Sequence, residues 1–336
     1  MPEPLPEAIT AGLVAMGLLA PGQPVQGEAL AGGVSSDIWH LALPDGQEIC
    51  VKRALPKLKV AADWRAPVVR NIYEARWLLE ADRAFPGTVA KLLGQDEATG
   101  CLAMEFLSPA DHPVWKARLR DGHADVAFAA EVGRRIAVIH AHAAAHPGLA
   151  EAFPTDEIFH AIRLEPYLLA TARAHPDLAA VLQEIASVTA RSKRTLVHGD
   201  VSPKNILCGP SGPVFLDAEC AWWGDPAFDL AFCLNHLLLK CLWTPSAAAG
   251  FMACFEALAA RYLAGITWEA ADALEARAAR LLPGLFLARV DGKSPVEYLT
   301  DEVDRNRVRR VARALLTKPE DRLLAVRAVW GEEIGA

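Results

Sequence analysis

HGDVSPKNIL, His198 to Leu207, is followed after the turn residues GPSG by VFLDAE, Val214 to Glu219. The apolar runs on either side of that turn predict a β-hairpin, with a polar loop at its entrance and a carboxylate at its exit. This hairpin belongs to a short β-rich island, TLVHGDVSPKNILCGPSGPVFLDAEC, in an otherwise helical region. Alanine- and leucine-rich stretches at 124–145, 176–192, 227–243 and from Ala247 onward carry apolar residues at helical spacing.

The first hundred residues read differently. Between Val25 and Leu55 the runs GGVSSD, IWHLAL, PDGQ and EICVKRAL give a glycine-containing loop and two strands joined by a turn. After Pro67, a good first residue for a helix, VVRNIYEARWLLEADRAF has apolar residues three and four apart and ends near Pro86 and Gly87. TVAKLLGQDE and CLAMEFL then read as a second strand pair about the turn ATG, and the acidic N-terminal stretch as a helix packed on the body rather than a secretory signal. Strands first and helices after, with a hairpin set into the helices, describe an α+β protein of two lobes, divided here at 1–107 and 108–336.

The side chains of the hairpin have a chemistry in common. Transfer of a phosphoryl group to an alcohol needs a carboxylate beside the attacking hydroxyl and oxygen ligands that hold magnesium against a triphosphate. Asp200 and Asn205 stand five residues apart, the spacing of a kinase catalytic loop, and Asp217 follows twelve residues after Asn205 at a strand end. Asp200 is the candidate catalytic base; Asn205 and Asp217 are the candidate metal ligands. Lys52, in EICVKRAL, matches the lysine that reaches nucleotide phosphates from a strand, with Glu74 on the next helix as its expected partner and Glu80 as the alternative. In the loop Gly32, Gly33, Val34, Ser35 and Ser36, glycine lets backbone N–H groups approach phosphates closely.

The HGD loop with its downstream Asn and strand-end Asp, together with GDPAFDLAF at 224–232, resembles the aminoglycoside phosphotransferase and choline kinase superfamily. The resemblance runs from about Leu30 to Leu239 and is most specific between Val197 and Ala231. It implies a protein-kinase-like two-lobed fold, ATP and Mg2+ as cofactors, and a small hydroxylated substrate. It implies as well that Asp229 anchors the catalytic loop, with His198 supporting it, and that adenine sits against the connection at Met104, Glu105, Phe106 and Leu107. DAECAWWGDPAFDLA also resembles methylthioribose kinases, which would put Glu219 beside Asp217 at the metal; Asn205 is a departure, because that subfamily tends to lack the amide.

Trp222 and Trp223 either wall the acceptor pocket or pack the lobe, and Arg289 and Asp291 in LFLARVDGKSPVEYL either touch substrate or belong to a helix connection. His140 and His142 are two apart, on different faces of a helix, and read as structural. The seven cysteines are scattered without a CxxC pair and read as small buried hydrophobes of a reducing compartment. A formal charge of −7 offers no field for a nucleic-acid backbone, and the longest apolar stretches carry polar residues unsuited to a membrane span. The expectation is a cytoplasmic small-molecule kinase; the alternative is a catalytically silent kinase-like module that binds nucleotide as a sensor or scaffold.

Overall fold

The computed structural model describes residues 5–30, 36–55 and 68–335. The N-terminal lobe consists of helix α1 (Glu7–Ala15), strands β1 (Gln26–Ala29), β2 (Ser36–Ala42) and β3 (Glu48–Ala54), helix α2 (Arg70–Ala84), and strands β4 (Leu92–Asp96) and β5 (Cys101–Glu105). The five strands form one antiparallel sheet in the order β1-β2-β3-β5-β4. The period of two in β3 divides its side chains between two environments. Ile49 and Val51 pack with Ile9 and Leu13 of α1 on the back of the sheet, whereas Cys50 and Lys52 face the cleft. The turn between β2 and β3 has Gly46 at a φ of 87° and the Asp45 carboxylate accepting from the Gln47 amide, so its sequence, PDGQ, fits the chemistry of a tight turn.

The chain then enters the larger lobe through Phe106 and Leu107. There follow α3 (Trp115–Arg120), α4 (Val126–Ala144), α5 (Leu149–Ala152), α6 (Asp156–Phe159), a π-helical segment His160–Leu169, α7 (Ala170–Ala174) and α8 (Ala179–Arg191). Strands β6 (Thr195–Val197), β7 (Ile206–Gly209), β8 (Gly212–Phe215) and β9 (Trp222–Gly224) form two antiparallel pairs, β6 with β9 and β7 with β8. Helices α9 (Ala227–Trp243), α10 (Ala248–Leu263), α11 (Ala271–Asp291), α12 (Glu302–Thr317) and α13 (Leu323–Ile334) complete it.

Every residue of α9 but the last is buried. A helix apolar on all sides is a central core helix, and α9 is enclosed by α10, α11 and α13. Its polar residues are therefore costly unless paired or functional. Helix α4 packs closely on α10 because Gly133 has no Cβ; one placed there would lie 2.3 Å from the Leu258 carbonyl oxygen. The result is a protein-kinase-like two-lobed fold, a β-sheet lobe joined to a mainly helical one. Among the described residues, no helix is long and apolar enough to cross a membrane.

Candidate active site

The entrance loop of the hairpin is held by Asp229, fully buried in the first turn of α9. Its carboxylate accepts from the backbone N–H of His198 (2.7 Å) and of Gly199 (2.8 Å), and from His140 Nε2 (3.1 Å). Gly199 has a φ of 77°, and a Cβ there would meet the Cys220 carbonyl oxygen at 2.5 Å, so only glycine fits the turn. His198 Nδ1 accepts from the Asp200 amide (3.1 Å) while Nε2 donates to the Leu216 carbonyl (3.0 Å). Those two bonds define a neutral imidazole, and burial lowers its pKa. Together with the Leu216 amide, which donates to the Asn205 carbonyl at 2.9 Å, His198 ties the loop carrying Asp200 to the strand end carrying Asp217.

From the sheet lobe, Lys52 Nζ donates to both Glu74 oxygens (2.7 and 3.0 Å) and to Asp217 Oδ1. Glu80 instead pairs with Arg83 and lies near His142, so Glu74 is the partner of Lys52. Burial opposes the charge on Lys52, yet Asp217 and Glu74 raise its pKa above that of an ordinary lysine. Burial likewise opposes ionisation of Asp217, but Lys52 and then Lys204 hold its carboxyl well below the usual range. Glu74, the most enclosed of the three, is pushed up by burial. Asp217 has a φ of 66°, the only positive value at a non-glycine residue among the described residues. Such a conformation costs on the order of 1–3 kcal/mol and persists where the surroundings impose it, commonly at a functional site. Glu219 Oε2 accepts from Arg70 Nε (2.8 Å) across the lobes.

Asp200 is buried, and both of its ion pairs use one oxygen: Arg163 Nη2 at 2.9 Å and Lys204 Nζ at 3.2 Å from Oδ2. Its Oδ1 accepts no hydrogen bond from the described residues. Arg163, Lys204 and Tyr167 were missed in the sequence. Lys204 lies inside the motif and its i,i+4 spacing from Asp200 was the available signal. Arg163 and Tyr167 sit in the π-helical segment, at no fixed spacing from the motif, and only the fold brings them to it.

Lys52, Glu74, Met104, Glu105, Phe106, Leu107, Asp200, Asn205, Asp217, Glu219 and Arg289 line one cavity of about 740 Å³, within the size range of small-molecule sites. Ser36 lines it too, its hydroxyl buried and without a partner among the described residues. Gly32, Gly33, Val34 and Ser35 lie outside the described residues. Trp222 and Trp223 are absent from this wall. The Trp222 ring stacks on Phe159 with centroids 4.1 Å apart and donates from Nε1 to Asp156 (2.7 Å), so the open alternative resolves toward packing. Asp291 is likewise drawn away from the cavity, into pairs with His175 (2.8 Å) and Arg309 (2.7 Å). Lys293 pairs with Glu165.

The donor set suits a hard divalent cation. Asn205 Nδ2 donates to the Asp200 carbonyl (3.1 Å), a bond that does not use its amide oxygen, and Asn205 and the ionised Asp217 both line the cavity. Oxygen donors of this kind match magnesium. Glu219, committed through one oxygen to Arg70, has its other oxygen for such a role.

A sheet lobe carrying a Lys–Glu pair, set over a helical lobe whose hairpin presents Asp, Asn and a strained strand-end Asp, defines a protein-kinase-like phosphotransferase. The chain belongs to the phosphotransferase enzyme family (APH), whose model matches residues 26–274. Two methylthioribose kinases of Oryza sativa subsp. japonica are similar. The first is 20% identical over 230 residues, 60% of this chain and 53% of its own length, and the second is 20% identical over 227. The chain thus spans about half the length of the curated relatives it matches. Among solved structures, one from Thermobifida fusca of fructosamine-3-kinase type superposes with a TM-score of 0.50 at 19% identity, covering 88% of this chain and 94% of that one. An ethanolamine kinase of Plasmodium vivax gives 0.51 at 12% identity, covering 96% and 86%. These likenesses establish the fold.

Proposed function

We propose that the protein is an ATP- and magnesium-dependent kinase that phosphorylates a hydroxyl group of a small molecule. The observation that carries this reading is the convergence of Lys52, Asp200, Asn205 and Asp217 on a single cavity. The triphosphate of ATP lies along Lys52, with adenine against Met104, Glu105, Phe106 and Leu107. Asn205 and Asp217 would hold magnesium, which would supply positive charge against the phosphate chain. Asp200 Oδ1 accepts the hydrogen of the acceptor hydroxyl. The acceptor oxygen forms its bond to the γ-phosphorus as the bond to the β,γ-bridging oxygen breaks, and ADP leaves with that electron pair. Arg163 and Lys204, fixed on the other oxygen of Asp200, hold the carboxylate in place and supply positive charge beside the transferring group. Positioning and electrostatics are the main sources of acceleration for such a loose transition state. An enzyme that consumes ATP works where ATP is made available, and we place it in the cytoplasm.

The test is ADP release in the presence of magnesium and a panel of alcohols: sugars, methylthioribose, choline, aminoglycosides and hydroxy acids. The reading predicts that at least one gives ADP in equal amount to a product heavier by one phosphoryl group. ATP binding without product across all classes would instead favour the catalytically silent module.

A further inference from the structure

The two ends of the cavity differ in how their charges are balanced. At the nucleotide end each cation has its carboxylate: Lys52 has Glu74 and Asp217, and Arg70 has Glu219. At the other end Arg163 and Lys204 share one oxygen of Asp200, and Lys116 takes Glu297. Arg289 pairs with no carboxylate among the described residues. Its Nη1 donates to Tyr167 Oη (3.2 Å), to Ser294 Oγ (3.1 Å) and to the Ser294 carbonyl, while its Nε is buried without a partner among the described residues. Of these four cations, Arg289 is the one that makes no ion pair among the described residues.

Two further groups lie near Arg289 and add little charge of their own. His236, on α9, lines the cavity, is buried and makes no hydrogen bond with the described residues. Burial and then the surrounding cations Arg289, Lys240, Lys204 and Lys116 hold it neutral. Lys240, one turn further along α9, is buried with its ammonium 4.0 Å from the Trp243 ring centre and 3.7 Å from that of Tyr298; burial and then Lys116 bring its pKa down to about 6 against the pull of Glu297, so it adds little charge near neutrality. Uncompensated positive charge in a concave, apolar-walled site focuses a field that attracts anions and repels cations.

Geometry separates this charge from the reacting carboxylate. The guanidinium carbons of Arg163 and Arg289 lie 5.9 and 5.6 Å from the centre of the same Tyr167 ring. Arg163 grips Asp200, whereas Arg289 points to Ser294 at the other rim. An acceptor lying across Tyr167 would present its hydroxyl to Asp200 at one end and a second group to Arg289 at the other.

We propose that the acceptor is an anion, a hydroxylated small molecule bearing a carboxylate or phosphate that Arg289 and His236 receive across Tyr167 from Asp200. The proposal rests on the kinase reading for the word acceptor, but the anion subsite is testable without turnover. A cationic acceptor such as an aminoglycoside or choline would meet the same uncompensated charge and be disfavoured.

The first arm titrates inorganic sulfate by calorimetry into protein saturated with magnesium and a non-hydrolysable ATP analogue, so that the triphosphate is already supplied. Sulfate binding should weaken roughly tenfold in Arg289→Gln, the loss of a charge-assisted hydrogen bond, and recover in part in Arg289→Lys. Should Arg289→Gln lower the melting temperature into the assay range, His236→Leu carries the arm with a smaller, roughly threefold, weakening. Absence of sulfate binding, or equal binding by the variants, overturns the proposal. The second arm compares ADP release with glycerate against glyceramide and glucose 6-phosphate against glucose. The anionic member of a pair should have the higher kcat/KM, and Arg289→Gln should erase the preference through KM. Preference for the neutral member or for choline overturns it as well. Sulfate binding as predicted with no turnover of any compound leaves the anion subsite standing and removes the kinase reading.

Discussion

The two walls of the cleft are made in different ways. The inner wall is one continuous hairpin, His198 to Glu219, whose two arms are tied together by bonds from Leu216 to His198 and Asn205. The outer wall is assembled from a π-helical segment, α9, and the end of α11, with Arg163, His236 and Arg289 arriving from positions far apart in the chain. Phosphoryl transfer needs a carboxylate and metal ligands at fixed separations, and a short hairpin supplies fixed separations from local geometry. Recognition of an acceptor needs only a shape and a charge, and any set of helices that encloses a cavity can be altered to supply them.

The sharpest division between the walls is expected from Asp217→Asn. Removing the carboxylate beside Asn205 should reduce turnover about a thousandfold and abolish the magnesium dependence of nucleotide binding, as read by fluorescence titration with and without chelator. Arg163→Gln removes an outer-wall group that pairs with Asp200. It should slow kcat about a hundredfold with nucleotide affinity unchanged, with partial recovery in Arg163→Lys; a drop in nucleotide affinity would place Arg163 with the inner wall instead. Lys52→Met should raise the KM for ATP roughly tenfold through loss of a charged contact to the phosphates, with the acceptor KM little altered.

A smaller effect separates the walls by pH. His236 is held neutral in the fold, by burial and then by its cationic neighbours, but titrates near its ordinary pKa when unfolded. The unfolded chain therefore takes up more protons as pH falls through about 6.5, and its share of stability, present above that pH, is lost on acidification by up to about 1.4 kcal/mol per pH unit. His236→Gln should flatten this part of the denaturation profile. His198, lowered as well, remains to give a residual slope. Least of all, Trp222→Phe should cost about 1–2 kcal/mol in urea unfolding, for the lost Asp156 bond and ring stack, and leave KM and kcat where they were.

What could be read from the sequence follows the same division. The spacing of Asp200, Asn205 and Asp217 and the alternation around Lys52 are local, so they specify the hairpin and the cleft-facing strand without knowledge of the rest. Helix α9 matched its sequence pattern from Ala227 to Trp243. Arg163 and Tyr167 could not be found, because the π-helical turn around Pro166 has no period to read and its contact with Asp200 is tertiary. Trp222 and Asp291 had the look of site residues from their neighbours in sequence, but Phe159 and Asp156, or His175 and Arg309, claim them in space.

The central claim is that Asp200 acts on the acceptor while its neighbours on the same hairpin hold the nucleotide. Single-turnover transfer from radiolabelled ATP, measured beside nucleotide affinity for Asp200→Asn, tests it most directly. The account predicts transfer slowed about a thousandfold with nucleotide affinity within about twofold of the unaltered protein. Transfer at an undiminished rate, or loss of nucleotide binding together with transfer, would contradict it.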